Sequence, residues 1–234
     1  MLKNKKILCL IPAKGNSKGI KYKNLKKIKN KSLLEAAIDF AKNLTFIDHT
    51  VVSSENEKII NIAKNKNCGL HKRNKYLTRD HTSDYELIKA ILKKKKYQNF
   101  DYLLYLQPTS PIRYKKDFIS GFKKIIDSKS DSIWSVTKVS NKYHPLKILK
   151  PKNKFFFENY LKEGKKIVAR QQLSNIYIRN GIFYIFSVKS LIKQKSIYLR
   201  KNLFYEIKYK HENIDTLNDL KLCRTIASKL KLNL

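Results

Sequence analysis

The sequence predicts an α/β protein whose mainly parallel β-sheet is covered by helices on both faces. Short apolar runs bounded by turn residues alternate with amphipathic stretches over the first 139 residues. Strand and helix alternating at this spacing form crossover units, which pair strands in parallel. With 234 residues, 42% of them hydrophobic and 11% aromatic, the chain can bury the core such a sheet needs, and wholesale disorder is excluded.

Each element follows from its local pattern. Residues 6–12, "KILCLIP", form a continuous apolar run read as a buried first strand. A helix is expected over 33–44 ("LLEAAIDFAKNL"), a strand over 49–54 ("HTVVSS") and a helix over 56–66. The alternation continues with a helix over 83–95, a strand over 101–107 ("DYLLYLQ"), a helix over 116–128 and a strand over 132–139 ("SIWSVTKV"). Then the rhythm breaks. Residues 140–180 show no clear helix, a hairpin-like apolar centre, and a density of His, Arg, Gln and Asn. An irregular segment of that length in a compact domain is usually functional or an interface. The sheet resumes at 182–186 ("IFYIF") and 203–209, and a last helix is expected over about 216–230. The expected organisation is therefore a core of 1–139 and 181–234 carrying a small lobe, 140–180.

Composition removes several classes. The longest apolar runs fall far short of the roughly 20 residues a membrane helix needs, so no membrane partner is expected. The basic, briefly apolar start reads as the first strand, because no small-residue cleavage site follows it. Cys9, Cys68 and Cys223 are widely separated, with no zinc spacing, and read as reduced thiols of a cytoplasmic protein. The net charge of +34 invites a nucleic-acid reading, but it comes from 45 Lys against 7 Arg spread over the whole chain with abundant Asn and Ile. An AT-rich genome writes such a surface, and no arginine-fork motif, zinc finger or heptad array appears. A basic nucleic-acid-binding protein stays as the reading from another class, motivated by charge alone; specific nucleic-acid binding is not expected.

Three stretches carry candidate chemistry. "IPAKGNSKGIKYKN" (11–24) joins the first strand to the first helix, where an open α/β sheet keeps its ligand. It matches neither the P-loop nor GxGxxG. It offers glycine for close backbone approach, exposed N–H groups, Ser17 as a donor, and Lys14, Lys18 and Lys23 as charges for a polyphosphate; a solvated basic turn is the other reading. "QPTSP" (107–111) leaves the third expected parallel strand, so Gln107 stands at the sheet's carboxyl edge, either reading a ligand's polar groups or as part of a rigid connection. In "NIDTLNDL" (213–220), Asp215 opens the last helix with Thr216 and Asp219 in a capping arrangement, or else supplies a magnesium carboxylate.

Together, "IPAKGNSKGIKYKN", "LLYLQPTSPIR", "YHPLK", "ARQQLSNIYIRNGIFYI" and "NIDTLNDL", in this order over residues 7–227, resemble the CMP-sialic acid synthetases, the acylneuraminate cytidylyltransferases. The resemblance implies a Rossmann-like nucleotidyltransferase fold with a small inserted dimerisation lobe. It also implies transfer of CMP from CTP to an acidic nine-carbon 2-keto sugar, with Mg²⁺ as cofactor, in a cytoplasmic homodimer. Pseudaminate, legionaminate and 3-deoxy-manno-octulosonate are the alternative sugars. Lys14, Gly15, Ser17, Lys18, Lys23, Asn24 and Arg73 then contact the nucleotide, and Lys14, Lys23 and Asp215 are catalytic. Gln107, Lys147, Arg170, Gln171, Asn180 and Tyr184 fall on the sugar side or the dimer lobe, and Asp215 with Asn213 holds the metal. The chain departs from the family pattern at Lys14, where arginine is usual, at Asn213, where a second aspartate is usual, and at Ile178, with Arg179 one place later than the family's arginine.

Overall fold

Ile7, Leu8, Cys9, Leu10 and Ile11 are all fully buried. Successive strand residues point to opposite faces, so a strand buried at every position has protein packed on both sides of its sheet. The computed structural model describes residues 4–17 and 19–230. In chain order the strands are β1 (Ile7–Pro12), β2 (Lys27–Ile28), β3 (Lys31–Ser32), β4 (His49–Ser54), β5 (Gly69–Lys72), β6 (Tyr102–Tyr105), β7 (Ser132–Lys138), β8 (Leu149–Pro151), β9 (Phe157–Asn159), β10 (Tyr177–Ser187) and β11 (Asn202–Glu206). The helices are α1 (Leu33–Lys42), α2 (Glu57–Asn65), α3 (Asp84–Leu92), α4 (Lys115–Asp127), α5 (Val188–Gln194) and α6 (Leu217–Lys229).

Seven strands form one sheet in the order β11-β7-β10-β6-β1-β4-β5. β1 pairs in parallel with β4 and β6, and β4 with β5, while β10 runs antiparallel to β6. Leu8 and Leu10 of β1, Leu103 and Tyr105 of β6 and Phe186 of β10 face a core shared with α3 and α5. On the other face, Phe183 of β10 meets Phe118 of α4 at 4.9 Å, and Phe118 meets Phe40 of α1 at 4.7 Å. The expected layers are therefore present.

Helix starts follow short-range chemistry. Ser32, Ser83 and Thr216 each close a capping box with the acid three residues on, Glu35, Glu86 and Asp219. Thr216 thus caps α6, and Asp215 supplies no side-chain acceptor to that helix.

The two-residue strands β2 and β3 escape the sequence pattern, as do β5 and α5. β5 is four residues long and opens on Gly69, where a Cβ would lie 2.5 Å from His49 Nε2 and 3.2 Å from the Thr50 carbonyl. α5 is seven residues and leaves β10 without a loop, started by Ser187. β10 also begins at Tyr177, five residues ahead of the expected 182, and the final strand is Asn202–Glu206 where 203–209 was expected.

A second compact unit comprises Val136–Arg179 with Glu206–Lys208. It contains the β8/β9 hairpin and short 3-10 turns, with no α-helix among its described residues. Gly164 lets its backbone approach the Leu146 carbonyl, which a Cβ would meet at 2.3 Å. Its phenylalanines stand in solvent: Phe155 is 83% exposed, Phe156 65% and Phe157 68%.

Candidate active site

β1 lies between β4 and β6, and the chain moves from β1 to β4 on one side before returning to β6 on the other. Ligands of open α/β sheets bind at such a switch point, beyond the carboxyl ends of the strands. A cleft of about 310 Å³ opens there, lined from the loop after β1 by Lys14, Ser17, Lys23 and Asn24, from the β5–α3 segment by Arg73, Asp80 and Asp84, from the end of β6 by Gln107 and Thr109, and by Asn213 and Asp215.

The loop after β1 is held by one of its own side chains and by acids from three other segments. Asn24, buried, donates from Nδ2 to the Lys14 carbonyl at 2.8 Å. Gly15 donates its N–H to Glu55 Oε1 at 2.7 Å, and a Cβ on Gly15 would strike Asn56 at 2.5 Å. Lys14 Nζ donates to Asp80 Oδ1 at 2.8 Å, and Lys23 Nζ to Asp215 Oδ1 at 2.7 Å. Lys18 lies outside the described residues.

Arg73 is aimed by the sheet. Its backbone N–H donates to the Ser54 carbonyl at 3.0 Å and its Nε to Ser53 Oγ at 3.1 Å. Ser53 Oγ in turn lies 2.9 Å from His71 Nδ1. Burial, with Lys94 and Arg73 nearby, pushes the His71 pKa down to about 4, so the imidazole is neutral at neutral pH. Burial also lowers the Arg73 pKa. Beside it, Tyr105 Oη donates to Asp84 Oδ1 at 2.5 Å, and burial and that carboxylate push the phenol well above its ordinary range.

Gln107 sits in a seam of buried polar groups. Arg113, buried and with its charge disfavoured by desolvation, donates from its guanidinium to the Gln107 carbonyl. Gly181 has φ +73, and a Cβ there would lie 2.6 Å from Gln107 Oε1 and 2.8 Å from Ser110 Oγ. Ser110 Oγ is within hydrogen-bond reach of the Asn180 carbonyl at 3.1 Å and of Asn213 Oδ1 at 3.2 Å.

The remaining expected residues fall elsewhere. Asn180 and Tyr184 lie in the sheet beside the cleft and not among its lining: Asn180 Oδ1 accepts from Ser135 Oγ at 2.6 Å, and the Tyr184 ring packs on Trp134 and Tyr105 at 5.7 and 6.4 Å. Lys147, Arg170 and Gln171 are exposed in 3-10 turns of the second unit. The residues that sequence reasoning passed over are Asp80, Asp84, Tyr105, Ser110, Arg113 and Gly181. The capping signal Ser83…Glu86 marked the segment that delivers Asp80 and Asp84, and nothing local marked the others.

Asp215 and Asn213 stand side by side at the cleft. Asp215 Oδ2 accepts from Asn213 Nδ2 at 3.1 Å, so Asn213 turns its amide toward Asp215 and its carbonyl toward Ser110. No group of three or more His, Cys, Asp or Glu suited to a metal occurs among the described residues. Mg²⁺ held with a nucleotide needs only one or two carboxylates besides phosphate and water. An exposed cleft carboxylate with an amide beside it fits that requirement, with Asp215 as the main protein donor.

A family model described as cytidylyltransferase matches residues 8–231. The chain is 26% identical over 226 residues to a pseudaminic acid cytidylyltransferase of Campylobacter jejuni, covering 94% of this chain and 96% of that one. It is 29% identical over 231 residues to an N-acylneuraminate cytidylyltransferase of Escherichia coli, covering 96% of this chain and 52% of that protein, so it spans about half of that relative. Among solved structures, a CMP:2-keto-3-deoxy-manno-octonic acid synthetase complexed with CTP superposes with a TM-score of 0.71 at 14% identity, covering 96% of this chain and 99% of that one.

Proposed function

Because this chain belongs to the cytidylyltransferase family, in its CMP-sialic acid synthetase-like branch, we propose that it activates a sialic-type nonulosonic acid with CTP, giving a CMP-sugar and pyrophosphate. It is a nucleotidyltransferase, and a CTP-dependent reaction on a sugar acid is the activity its relatives support. The observation that carries the reading is the convergence of Lys14, Lys23, Arg73, Gln107 and Asp215 on one cleft at the switch point of the sheet. Pseudaminate is the second reading, favoured by the Campylobacter relative that matches over nearly its whole length.

In this scheme the anomeric C2 hydroxyl oxygen of the sugar attacks the α-phosphorus of CTP. The new O–P bond forms as the bond to the α–β bridging oxygen breaks, pyrophosphate leaves, and the hydroxyl proton passes to water. Lys14 and Lys23 hold the triphosphate by charge, Arg73 stands as a preset cation on the wall, and Gln107 orients the sugar acid. No nucleophilic side chain is needed, because catalysis rests on positioning and on charge offset in a site that need not reorganise. Magnesium bound through Asp215, with Asn213 beside it, would add positive charge against the triphosphate and the leaving pyrophosphate.

The exposed phenylalanines of the second unit support a homodimer in which that lobe packs on a second subunit and brings Arg170 near the neighbour's sugar. No helix among the described residues is long and apolar enough to cross a membrane, and a reaction that consumes CTP supports the reading of a cytoplasmic enzyme. The test is pyrophosphate release from four nucleoside triphosphates crossed with N-acetylneuraminate, pseudaminate, legionaminate and 3-deoxy-manno-octulosonate. CTP with one nonulosonic acid should stand far above the rest. Equal turnover with ATP, or none with any sugar, would refute the proposal.

A further inference from the structure

We infer that the chain's own carboxylates hold the triphosphate's places on Lys14 and Lys23 until the nucleotide displaces them, with Asp80 as the placeholder on Lys14. The inference rests on the reading of the cleft as a nucleotide site and identifies what the nucleotide must displace there.

Two observations carry it. The chain has 18 acidic residues against 52 lysines and arginines, so carboxylates are scarce, yet Lys14 and Lys23 each hold one, delivered from 66 and 192 positions away. Their exposure is also inverted relative to ordinary surface pairs. Lys14 and Lys23 are 27% and 16% exposed, against 46% and 66% for Asp80 and Asp215. In the other ion pairs among the described residues the lysine is at least as exposed as its acid.

The physical consequence is an exchange of ion pairs. A half-buried ammonium without an anion costs free energy, so the carboxylates hold both lysines in place facing the cleft. The more exposed partner is the one that turns into water at little cost. A phosphate oxygen arriving at Lys14 therefore replaces Asp80 without rebuilding the loop, and one arriving at Lys23 releases Asp215, whose oxygens become available to a divalent cation.

The test uses the full chain and inorganic tripolyphosphate, which carries neither base nor sugar. Asp80→Asn removes the competitor, and an exposed pair of this kind is worth about a two- to fivefold change in binding. The dissociation constants for tripolyphosphate and for CTP should fall by that factor, while that for cytidine stays put. Asp80→Glu, which keeps the pair, should match the wild type, and Asp127→Asn, an equal charge change on the exposed end of α4, should give no gain. In a Lys14→Met background the gain should vanish. An Asp80→Asn protein that binds tripolyphosphate no tighter than the wild type, or weaker, overturns the inference, as does a gain that survives Lys14→Met. Absence of CTP turnover alongside the tripolyphosphate gain would count against the proposed function alone.

Discussion

Replacing Gly181 by alanine tests how the seam beside the cleft is built. Gly181 adopts φ +73, a conformation that costs a residue with a Cβ about 1–2 kcal/mol. The added methyl would also lie 2.6 Å from Gln107 Oε1 and 2.8 Å from Ser110 Oγ. Both are side-chain ends and can move, but turning Ser110 away loses its bond to the Asn180 carbonyl or to Asn213, about 1 kcal/mol. The expected loss is thus about 2–3 kcal/mol, which urea denaturation would read as a midpoint lowered by about 1 M at unchanged slope. The same shift pushes the Gln107 amide off its position, so KM for the sugar acid should rise about tenfold while KM for CTP changes less; that factor corresponds to one lost hydrogen bond. A midpoint within 0.2 M of the wild type, about 0.6 kcal/mol or less, would refute the backbone argument. A destabilised protein with unchanged KM for the sugar would refute Gln107 as its contact.

Other expectations follow from the same geometry. Since Thr216 caps α6, Asp215→Ala should leave stability within about 1 kcal/mol, as for an exposed ion pair, while turnover falls by orders of magnitude; unchanged turnover at limiting Mg²⁺ would remove Asp215 from the metal set. Asn213→Asp adds a carboxylate beside it and should lower the Mg²⁺ concentration for half-maximal rate. Wild-type protein should bind Mn²⁺ weakly without nucleotide by electron paramagnetic resonance, and Lys23→Met should bind it more tightly, because Lys23 occupies Asp215 Oδ1; equal affinities would contradict that competition. His71 is neutral when folded, with a pKa near 4 against an ordinary 6.5, so the unfolded chain takes up its proton first. Stability should therefore fall as pH drops from about 6.5 to 4, more steeply than in His71→Asn, and parallel slopes would contradict the assignment. Charge placed in the second unit, by Phe155→Asp with Phe157→Asp, should convert a dimer to a monomer in sedimentation; a wild-type monomer of full activity would end the dimer proposal.

Local sequence determined the core of this protein wherever a pattern was long enough to be seen. The buried run of β1, the amphipathic α1, α2 and α4, and the capping serines of α1 and α3 all depend on neighbours within four residues, and the alternation of these elements dictates a parallel sheet. The loop after β1, Gln107 at its strand end and Asp215 before the last helix were likewise legible, because their chemistry is carried by residue type and position at the strand or helix ends. Tertiary structure alone decided what those groups meet. Asp80 reaches Lys14 and Asp215 reaches Lys23 across 66 and 192 residues. No local pattern encodes such pairs, because they arise only where the sheet order brings β1 between β4 and β6. The same holds for Arg113 beneath Gln107 and for Gly181, whose missing side chain matters only because Gln107 and Ser110 come from another strand's loop. Elements as short as β5 and α5 carry no more than about two periods of pattern, so they form because neighbouring strands and helices supply the hydrogen bonds and apolar surface that four to seven residues cannot supply themselves.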